Sequence, residues 1–318
     1  MTRILVTGGS GFIGSVLAEK LIRNKDNYVV IVDDLSTGNI EKLPHHLPKD
    51  NWRFVKADVN EYREISEIML GGKFDYVFHY AALVGVLRTQ ENPVKVLRDI
   101  EGIKHVLNLC KSTGVKRIFF SSSSEVYGEP VELPQHEETT PLNSKVPYAV
   151  VKNIGEAFLR SYEQEFGLEY TIFRFFNTYG PNQSDDFVMS KFLFKALNNL
   201  DISIYGDGSQ TRTFCYCDDN IDACLIAFYE NKVINDVMNV GGEKEIKIID
   251  LAKMIIEATN SSSKIVHLPP LKDGDMSRRC PDNSKMRSLL GRNLIPVSEG
   301  IKILLRSPQF QKYHIENA

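Results

Sequence analysis

Short apolar runs alternate with amphipathic stretches along roughly the first 175 residues of the chain. The apolar runs are rich in β-branched and aromatic residues, which is typical of buried strands. They read RILVTG, YVVIVDD, WRFVKADV, FDYVFHYAA, RIFFSS and YTIFRFF. The stretches between them, such as YAVVKNIGEAFLRSYEQEFG, carry apolar residues at helical spacing. This alternation predicts an α/β fold, in which a doubly wound parallel sheet is covered by helices on both faces.

After about residue 180 the pattern becomes shorter and less regular, with GDGSQTR, GGEKE and PPLKDGD as predicted loops. The change predicts a second, smaller lobe. We therefore place one domain at residues 1–178 and a second at 179–318, and expect that some later segments return to the first domain.

Composition narrows the classes of function. The 318 residues are 42% hydrophobic and 25% charged, with a formal net charge of -3, so a basic groove for nucleic acid is not expected. No apolar stretch approaches the ~20 residues of a membrane span. Five cysteines do not indicate a disulfide framework in a chain of this length, which favours a cytoplasmic location. No cluster of His, Cys or Asp has the spacing of metal ligands, and we predict no metal site.

A glycine-rich loop, TGGSGFIG, directly follows the first predicted strand and opens the first predicted helix. Gly8, Gly11 and Gly14 allow a tight turn and a close approach of the backbone to a pyrophosphate. Phe12 and Ile13 lie in the same turn, where free N–H groups and the helix dipole favour an anion. The pattern predicts a dinucleotide site.

The end of the second predicted strand carries an acidic pair. Asp33 lies about 20 residues after the loop, where a carboxylate accepts hydrogen bonds from the adenosine ribose and repels a 2′-phosphate. NAD is therefore favoured over NADP. Four further residues of this loop and two at the end of the third strand are predicted to contact the cofactor: Asp34, Ser36, Thr37, Gly38, Asp58 and Val59.

Tyr148 and Lys152 form a Y-x-x-x-K pair at the start of a predicted helix. A spacing of four places both side chains on one helical face. A lysine ammonium favours the phenolate of a neighbouring tyrosine and so lowers its pKa. A phenolate can remove a hydroxyl proton while hydride leaves the same carbon. An exposed helix pair is the ordinary interpretation of this spacing, but the upstream dinucleotide loop and serine-ended strand favour catalysis.

With these motifs the chain resembles the extended short-chain dehydrogenases/reductases that modify nucleotide sugars. The matching segments include TGGSGFIG, VDDLSTG, HYAALVGV, SSSSEVYG, PYAVVKN, FRFFNTYGP, YGDGSQTR, NVGG and DGDMSRRCPDNSKMRSLLG. The resemblance implies a Rossmann-like domain with tightly held NAD and a mixed α/β C-terminal lobe that binds a nucleoside diphosphate sugar. It also implies oxidation at C4 of the sugar, and a homodimer formed by helices near 93–113 and 147–166.

The same resemblance implies roles for individual residues. Ser123 matches the residue that hydrogen-bonds the sugar 4-hydroxyl, Tyr148 matches the base, and Lys152 matches the lysine on the nicotinamide ribose. Ala81 and Ala82, in HYAALVGV, match the stretch beneath the nicotinamide. The residues predicted to contact substrate are Ser124, Asn177, Arg212, Arg278 and Arg279.

Glu125, in SSSSEVYG, distinguishes the possible outcomes after C4 oxidation. Simple 4-epimerases commonly have a small residue here. UDP-glucuronate decarboxylases read T-S-E-V-Y-G, and 4,6-dehydratases of the GDP-mannose type read T-S-E-L-Y-G with the glutamate as base. We predict decarboxylation of a UDP-linked uronic acid. The alternatives are a 4-epimerase of a UDP-hexose or UDP-uronate, a 4,6-dehydratase of a UDP- or GDP-hexose, and a binding protein that retains the fold.

Two departures from the decarboxylase pattern keep the alternatives open. Those enzymes typically have P-R-x-x-Y before the active-site tyrosine, whereas this chain has SKVPY, with Lys145 at the arginine position. The usual G-W-x-P near the C-terminus is replaced by GRNLIP. Glu125 also has a structural interpretation, because carboxylates commonly cap loops and helix starts.

Overall fold

The computed structural model describes residues 1–270 and 278–315. A seven-stranded sheet forms its core. Its strands are Thr2–Thr7 (β1), Asn27–Asp33 (β2), Trp52–Lys56 (β3), Tyr76–His79 (β4), Arg117–Ser123 (β5), Glu169–Phe175 (β6) and Asp236–Val240 (β11). They lie in the order β3-β2-β1-β4-β5-β6-β11, and from β3 to β5 the neighbouring strands are parallel.

The central strands are buried on both faces, which explains their continuous apolar runs. Leu5 of β1, Val30 of β2 and Val77 of β4 are each 0% exposed. Parallel sheets have this property because their crossover helices cover both faces. The predicted α/β fold and its parallel sheet are confirmed.

Helices follow most strands of this sheet, and the longest is α6. The described helices are Phe12–Arg23 (α1), Tyr62–Gly72 (α2), Val86–Glu91 (α3), Pro93–Leu97 (α4), Asp99–Thr113 (α5), Pro147–Phe166 (α6), Val188–Leu197 (α7), Cys217–Tyr229 (α8), Ile248–Thr259 (α9), Ser284–Leu290 (α10), Val297–Leu305 (α11) and Pro308–Ile315 (α12). None of the helices within these described ranges is long and apolar enough to cross a membrane.

Two glycines end helices as predicted. Gly114 and Gly167 follow α5 and α6 with φ values of 76° and 68°, a left-handed conformation that glycine adopts without strain. The stretch near 93–113, predicted as one helix, is instead two helices that meet at Arg98. The Arg98 N–H bonds the Lys95 carbonyl at 3.3 Å, three residues back, so α4 closes with a tighter turn.

The chain divides into two compact units. The first contains residues 1–126, 144–174 and 224–238, and the second contains 127–143, 175–223 and 239–318. The predicted boundary at 178/179 lies four residues from the crossing at 174/175, and residues 224–238 belong to the first unit.

The second unit has short strands in three two-stranded sheets. Two of them are parallel and one is antiparallel, so this unit is mixed α/β. Its strands are Thr178–Tyr179 (β7), Ile202–Tyr205 (β8), Thr211–Thr213 (β9), Cys215–Tyr216 (β10), Glu245–Lys247 (β12) and Ile265–Leu268 (β13). The predicted DGD segment at residues 273–275 lies outside the described residues.

Candidate active site

The glycine loop lies between β1 and α1 and is closely packed. Gly8 has a φ of +70°, and a Cβ there would lie 2.6 Å from the Ala81 nitrogen. A Cβ on Gly14 would overlap the Gly8 carbonyl oxygen. The Gly11 N–H donates to that oxygen at 3.1 Å, and α1 begins at the next residue, Phe12. No larger residue fits at Gly8 or Gly14 without moving backbone atoms.

A buried serine hydroxyl beside this loop has no hydrogen-bond partner in the described part of the chain. Ser10 is 0% exposed, and its Oγ is unpaired. The first N–H groups of a helix also lack partners within the helix, and α1 has no side-chain cap. Unpaired donors next to a narrow glycine turn suit the oxygens of a pyrophosphate.

Asp33, at the end of β2, is held by the same loop. It is 7% exposed, and its carboxylate accepts from the N–H groups of Ser10 and Leu35, each at 2.9 Å. Burial raises the pKa of Asp33, while these two donors oppose the rise. A Cβ on Gly38 would lie 2.6 Å from Asp33 Oδ1.

The other residues predicted around the adenosine lie in the loops after β2 and after β3 and have different surroundings. Asp34 is exposed and accepts from the Ser36 N–H at 2.8 Å, and Thr37 is partly buried. Asp58 accepts from the Asn60 N–H at 2.8 Å, which makes a local turn. Val59 is 8% exposed and belongs to the hydrophobic core of the sheet.

The segment after β4 is tied to β1 by a short chain of hydrogen bonds. The Thr7 hydroxyl lies 2.9 Å from Nδ1 of His79 and accepts from the Ala81 N–H at 3.3 Å. Ala82 follows in the same partly buried segment. Burial, together with the nearby charge of Lys152, lowers the pKa of His79 to about 3. His79 is therefore neutral at physiological pH.

Tyr148 and Lys152 lie on the first turns of α6, as predicted. Lys152 is 2% exposed, and its Nζ lies 4.9 Å from the centre of the Phe120 ring and 5.8 Å from that of Tyr148. Burial lowers the pKa of Lys152 to about 8, and the carboxylate of Asp99 acts in the opposite direction. The ammonium is therefore charged at neutral pH and close to the phenol ring.

The serine run ends strand β5 at Ser123, as the sequence predicts, and a 3₁₀ turn follows at Ser124–Tyr127. The Glu125 N–H donates to the Ser123 hydroxyl at 3.2 Å. Ser124 is 2% exposed, whereas Ser123 and Glu125 are partly buried. Ser123, Glu125, Tyr148 and Lys152 all belong to the first compact unit.

A buried ionic network behind this turn was not predicted. Glu156, one helical turn after Lys152, is 0% exposed and accepts from the Ser122 hydroxyl at 2.7 Å. Arg174 of β6 donates to both of its carboxylate oxygens, at 2.9 and 2.7 Å. An arginine inside the apolar run YTIFRFF was the signal for this pair, because a buried guanidinium needs a carboxylate partner.

The residues predicted to contact substrate lie mostly in the second unit. Asn177 donates from its side chain to the Thr213 carbonyl at 2.9 Å, and Arg212 donates to the Thr211 carbonyl at 2.7 Å. Arg278 is 52% exposed and forms a two-point ion pair with Glu245, at 3.1 and 2.6 Å. Arg279 is 8% exposed. The two adjacent arginines therefore differ in exposure.

Comparison with known proteins identifies the family of the chain. The family model of the "NAD dependent epimerase/dehydratase family" matches residues 4–241. The chain belongs to that family. Its members are NAD dependent, so both the predicted resemblance and the predicted cofactor are confirmed at the level of the family, and the chain is an enzyme of this class.

Three similar proteins illustrate the range of the family. UDP-glucuronic acid decarboxylase 3 of Arabidopsis thaliana is 34% identical over 95% of this chain and 87% of its own length. A putative UDP-glucose 4-epimerase of Methanocaldococcus jannaschii is 36% identical over 94% of this chain and 96% of its own. The structure of a UDP-glucose 4-epimerase from Thermotoga maritima, with UDP-glucose, has a TM-score of 0.90 and 31% identity, covering 99% of this chain and 100% of that one.

Asp33 provides a first test of the cofactor site. We expect Asp33→Asn to raise the dissociation constant for NAD about tenfold, because the amide loses the charge and leaves one buried N–H unpaired. Titration calorimetry with NAD and NADP measures both affinities. Asp34→Asn is the matched comparison, since its carboxylate is adjacent but exposed. Equal losses in the two variants would contradict a leading role for Asp33.

Proposed function

We propose that the protein oxidises a nucleoside diphosphate sugar at C4 and uses NAD to form a transient 4-keto sugar. The observation that carries this proposal is the pairing of Tyr148 with the buried, charged Lys152 on α6. Ser123 at the end of β5 and the glycine loop belong to the same compact unit. This set of groups suits the removal of a proton and a hydride from one alcohol carbon.

Several residues would hold the cofactor. Gly8 and Gly14 would admit the pyrophosphate to the narrow turn, with the Ser10 hydroxyl and the first N–H groups of α1 as donors. Asp33 would accept from the adenosine ribose. When bound, NAD supplies the acceptor for the hydride that leaves C4.

Side chains of the protein transfer the proton of the sugar 4-hydroxyl. Tyr148, as phenolate, takes the proton of the 4-hydroxyl, and Ser123 donates or accepts a hydrogen bond at the same oxygen. The Lys152 ammonium stabilises the negative charge on the phenolate, an interaction strengthened by its low-dielectric surroundings. The reverse transfer of this proton regenerates an alcohol once the ketone is reduced.

UDP is the nucleotide that we propose for the substrate. Its support comes from the similar proteins, which are described as UDP-glucuronic acid decarboxylases and UDP-glucose 4-epimerases. GDP is the alternative nucleotide, because the sequence around Glu125 also resembles that of the 4,6-dehydratases of the GDP-mannose type. Among the candidate arginines, Arg212 and Arg279 are buried. A buried position suits an arginine that binds a diphosphate through two hydrogen bonds, whereas an arginine without such a role would be expected to face solvent.

For the specific reaction, we propose decarboxylation of UDP-glucuronate. The C4 ketone lies β to the C6 carboxylate, so the C5–C6 bond can break with loss of CO2 while its electrons pass to the enolate. Protonation at C5 and return of the hydride to C4 then give a UDP-pentose. The S-E-V-Y-G sequence and the partly buried Glu125 beside Ser123 support this reaction, since a carboxylic acid there can deliver the C5 proton.

One observation favours a second candidate, 4-epimerisation. Lys145 stands where the decarboxylases have an arginine, and it is exposed. The putative epimerase of Methanocaldococcus jannaschii is also similar along 94% of this chain. In this reaction the 4-keto sugar rotates in the site, and the hydride returns to the opposite face of C4. The product has the same mass as the substrate.

Product analysis separates these reactions. The purified protein is incubated with NAD and UDP-glucuronate, and in parallel with UDP-glucose, and the products are examined by mass spectrometry and proton NMR. Loss of CO2 with a pentose spectrum supports the decarboxylase. Unchanged mass with a galacto spectrum supports the epimerase, and loss of water indicates a 4,6-dehydratase. No change in the mass or configuration of any sugar in the whole panel of UDP- and GDP-sugars, and no transient NADH absorbance, would contradict C4 oxidation.

Glu125→Gln tests the carboxylate. We expect its turnover with UDP-glucuronate to fall about 10²-fold, because the amide cannot transfer a proton. Release of CO2 and absorbance of NADH are followed together, and oxidation at C4 should be affected less than the later steps. Glu129→Gln removes an exposed carboxylate four residues away and serves as the matched control. Full turnover in Glu125→Gln would show that Glu125 is only structural.

A further inference from the structure

Asn239 of β11 is 0% exposed and forms hydrogen bonds with several other segments of the second compact unit. Its Oδ1 accepts from the Tyr127 hydroxyl at 2.7 Å, and its Nδ2 donates to the carbonyls of Gln135 at 2.8 Å and Asp282 at 3.1 Å. Its backbone N–H donates to a carboxylate oxygen of Glu137 at 2.9 Å. One residue therefore joins β11, the loop that follows the 3₁₀ turn and the segment before α10.

The segment before α10 carries Arg279, a buried arginine that is a candidate for the diphosphate of the substrate. The Gln135 N–H donates to the Cys280 carbonyl at 2.8 Å, and the Asp282 N–H donates to the Gln135 carbonyl at 2.8 Å. The Gln135 carbonyl therefore accepts from the Asp282 backbone and from the Asn239 carboxamide. These bonds fix the backbone one to three residues after Arg279.

The same backbone is closely packed on the end of β11. A Cβ on Gly241 would lie 2.6 Å from the Phe176 Cβ and 3.2 Å from Cγ of Pro281. The Asn283 side chain donates to the Gly241 carbonyl at 2.8 Å. A larger residue at Gly241 would have to move these neighbours. The chain after Arg279 is therefore held against β11 by packing as well as by hydrogen bonds.

The other anchor of this segment is an exposed ion pair. Arg278 binds Glu245 of β12, and the two side chains are 52% and 23% exposed. Water and salt screen an exposed pair, so its contribution is small. Removal of a buried donor, in contrast, leaves its acceptor unsatisfied. We therefore expect Asn239, rather than Glu245, to determine where the backbone of this segment lies.

We propose that Asn239 is a positioning residue of the diphosphate site: its carboxamide fixes the segment that carries Arg279, so that the guanidinium binds the diphosphate through two hydrogen bonds. This inference rests on the proposed function and extends it to a residue that does not itself touch the substrate. A two-point bond requires a set orientation of the guanidinium, so a shift of its backbone weakens nucleotide binding. The glycine loop and Asp33 belong to the other compact unit, and NAD affinity should not change.

The test is the affinity of Asn239→Leu for UDP, measured on the full chain by titration calorimetry. Leucine has a similar volume and removes all three side-chain hydrogen bonds. We expect the dissociation constant for UDP to rise about tenfold and that for NAD to stay the same. Tyr127→Phe removes only the hydroxyl that holds the Asn239 Oδ1. It should raise the constant by a smaller factor, and it replaces Asn239→Leu if the leucine variant does not fold.

Asn51→Leu is the matched control. Asn51 is 2% exposed, and its side chain also donates to two carbonyls, those of Ile22 at 2.8 Å and Asn27 at 3.2 Å. It lies in the first compact unit. We expect this variant to lose thermal stability as Asn239→Leu does, but to keep the UDP affinity of the parent. An equal loss of UDP affinity in both variants would reflect general destabilisation and would overturn the inference.

Arg279→Met shows whether Asn239 acts through the arginine. In the Arg279→Met background, Asn239→Leu should cause no further loss of UDP affinity, because the group that it positions is absent. A second loss of the full size would overturn the inference. If the parent binds neither UDP nor GDP, the proposed substrate class fails and the inference fails with it. Equal UDP binding by the parent and Asn239→Leu would contradict the inference alone.

Discussion

Lys152→Met is expected to lower kcat by about 10³-fold and at the same time to stabilise the folded protein. The activity falls because the phenolate of Tyr148 loses its neighbouring cation. The stability rises because Met keeps a flexible apolar stem and removes a buried charge. Burial lowers the pKa of Lys152 from 10.5 to about 8, and the difference corresponds to roughly 3 kcal/mol of destabilisation at neutral pH.

The stability difference between Lys152→Met and the parent protein should depend on pH. The unfolded lysine keeps its proton up to about pH 10.5, whereas the folded one loses it near pH 8. The destabilisation of the folded protein by the buried charge therefore has its full value below pH 8 and disappears as the pH rises towards 10.5. The stability gain of Lys152→Met should follow the same course.

Urea unfolding of the NAD-free parent and variant, from pH 6.5 to 10, measures this difference. Lys145→Met is the control, because it removes an exposed lysine and should change the free energy of unfolding by less than about 0.5 kcal/mol. A variant that is less stable than the parent at pH 7 would mean that the ammonium stabilises the fold.

The second large effect is expected in the pair of Glu156 and Arg174. Glu156→Leu should lower the free energy of unfolding by about 3–5 kcal/mol, because it removes the two-point bond to the buried Arg174 guanidinium. Arg174→Met should cost less, because Arg160 still donates to Glu156 at 3.2 Å. Glu156 and Arg174 are 0% and 1% exposed. The double variant should be markedly more stable than the sum of the single changes predicts, since both halves of the buried ion pair are removed together.

A double-mutant cycle in urea tests this coupling. Arg23 and Glu19 form an exposed pair on α1, with side chains 58% and 33% exposed, and their cycle should give less than about 1 kcal/mol. Additive losses at Glu156 and Arg174 would contradict the prediction. The pKa of Glu156 is below its usual value, because Arg174 and Ser122 outweigh the effect of burial. The contribution of the pair should therefore be lost only in acid, as the pH falls through that lowered pKa.

The sheet could be predicted from sequence because its signals are local. Each apolar run is bounded by glycine or by a helical pattern. Such a run is enough to identify a strand that is buried on both faces of a parallel sheet. The glycine loop could also be predicted as a dinucleotide-binding loop, because it lies directly between a strand and a helix. Tyr148 and Lys152 could be placed together because four residues make about one helical turn.

Long-range polar contacts could not be predicted in the same way. Glu156 continues the spacing of Tyr148 and Lys152, and from sequence alone a glutamate near the middle of a helix is expected in solvent. Asp99 has the appearance of an ordinary acidic residue at a helix start. Its carboxylate accepts from the Leu83 N–H and from the Asn60 side chain, which lie 16 and 39 residues away along the chain, and no local pattern encodes those pairings.

The path of the chain between its two compact units has a consequence for protein engineering. The backbone passes from one unit to the other after residues 126, 143, 174, 223 and 238, and both α8 and β11 span such a crossing. Neither unit is therefore a contiguous piece of the gene. Exchange of substrate preference with a relative by recombination at one point would divide at least one unit, and both units wherever the crossover falls between residues 127 and 238. A chimaera must transplant three separate segments together, or change individual side chains within the existing lobe.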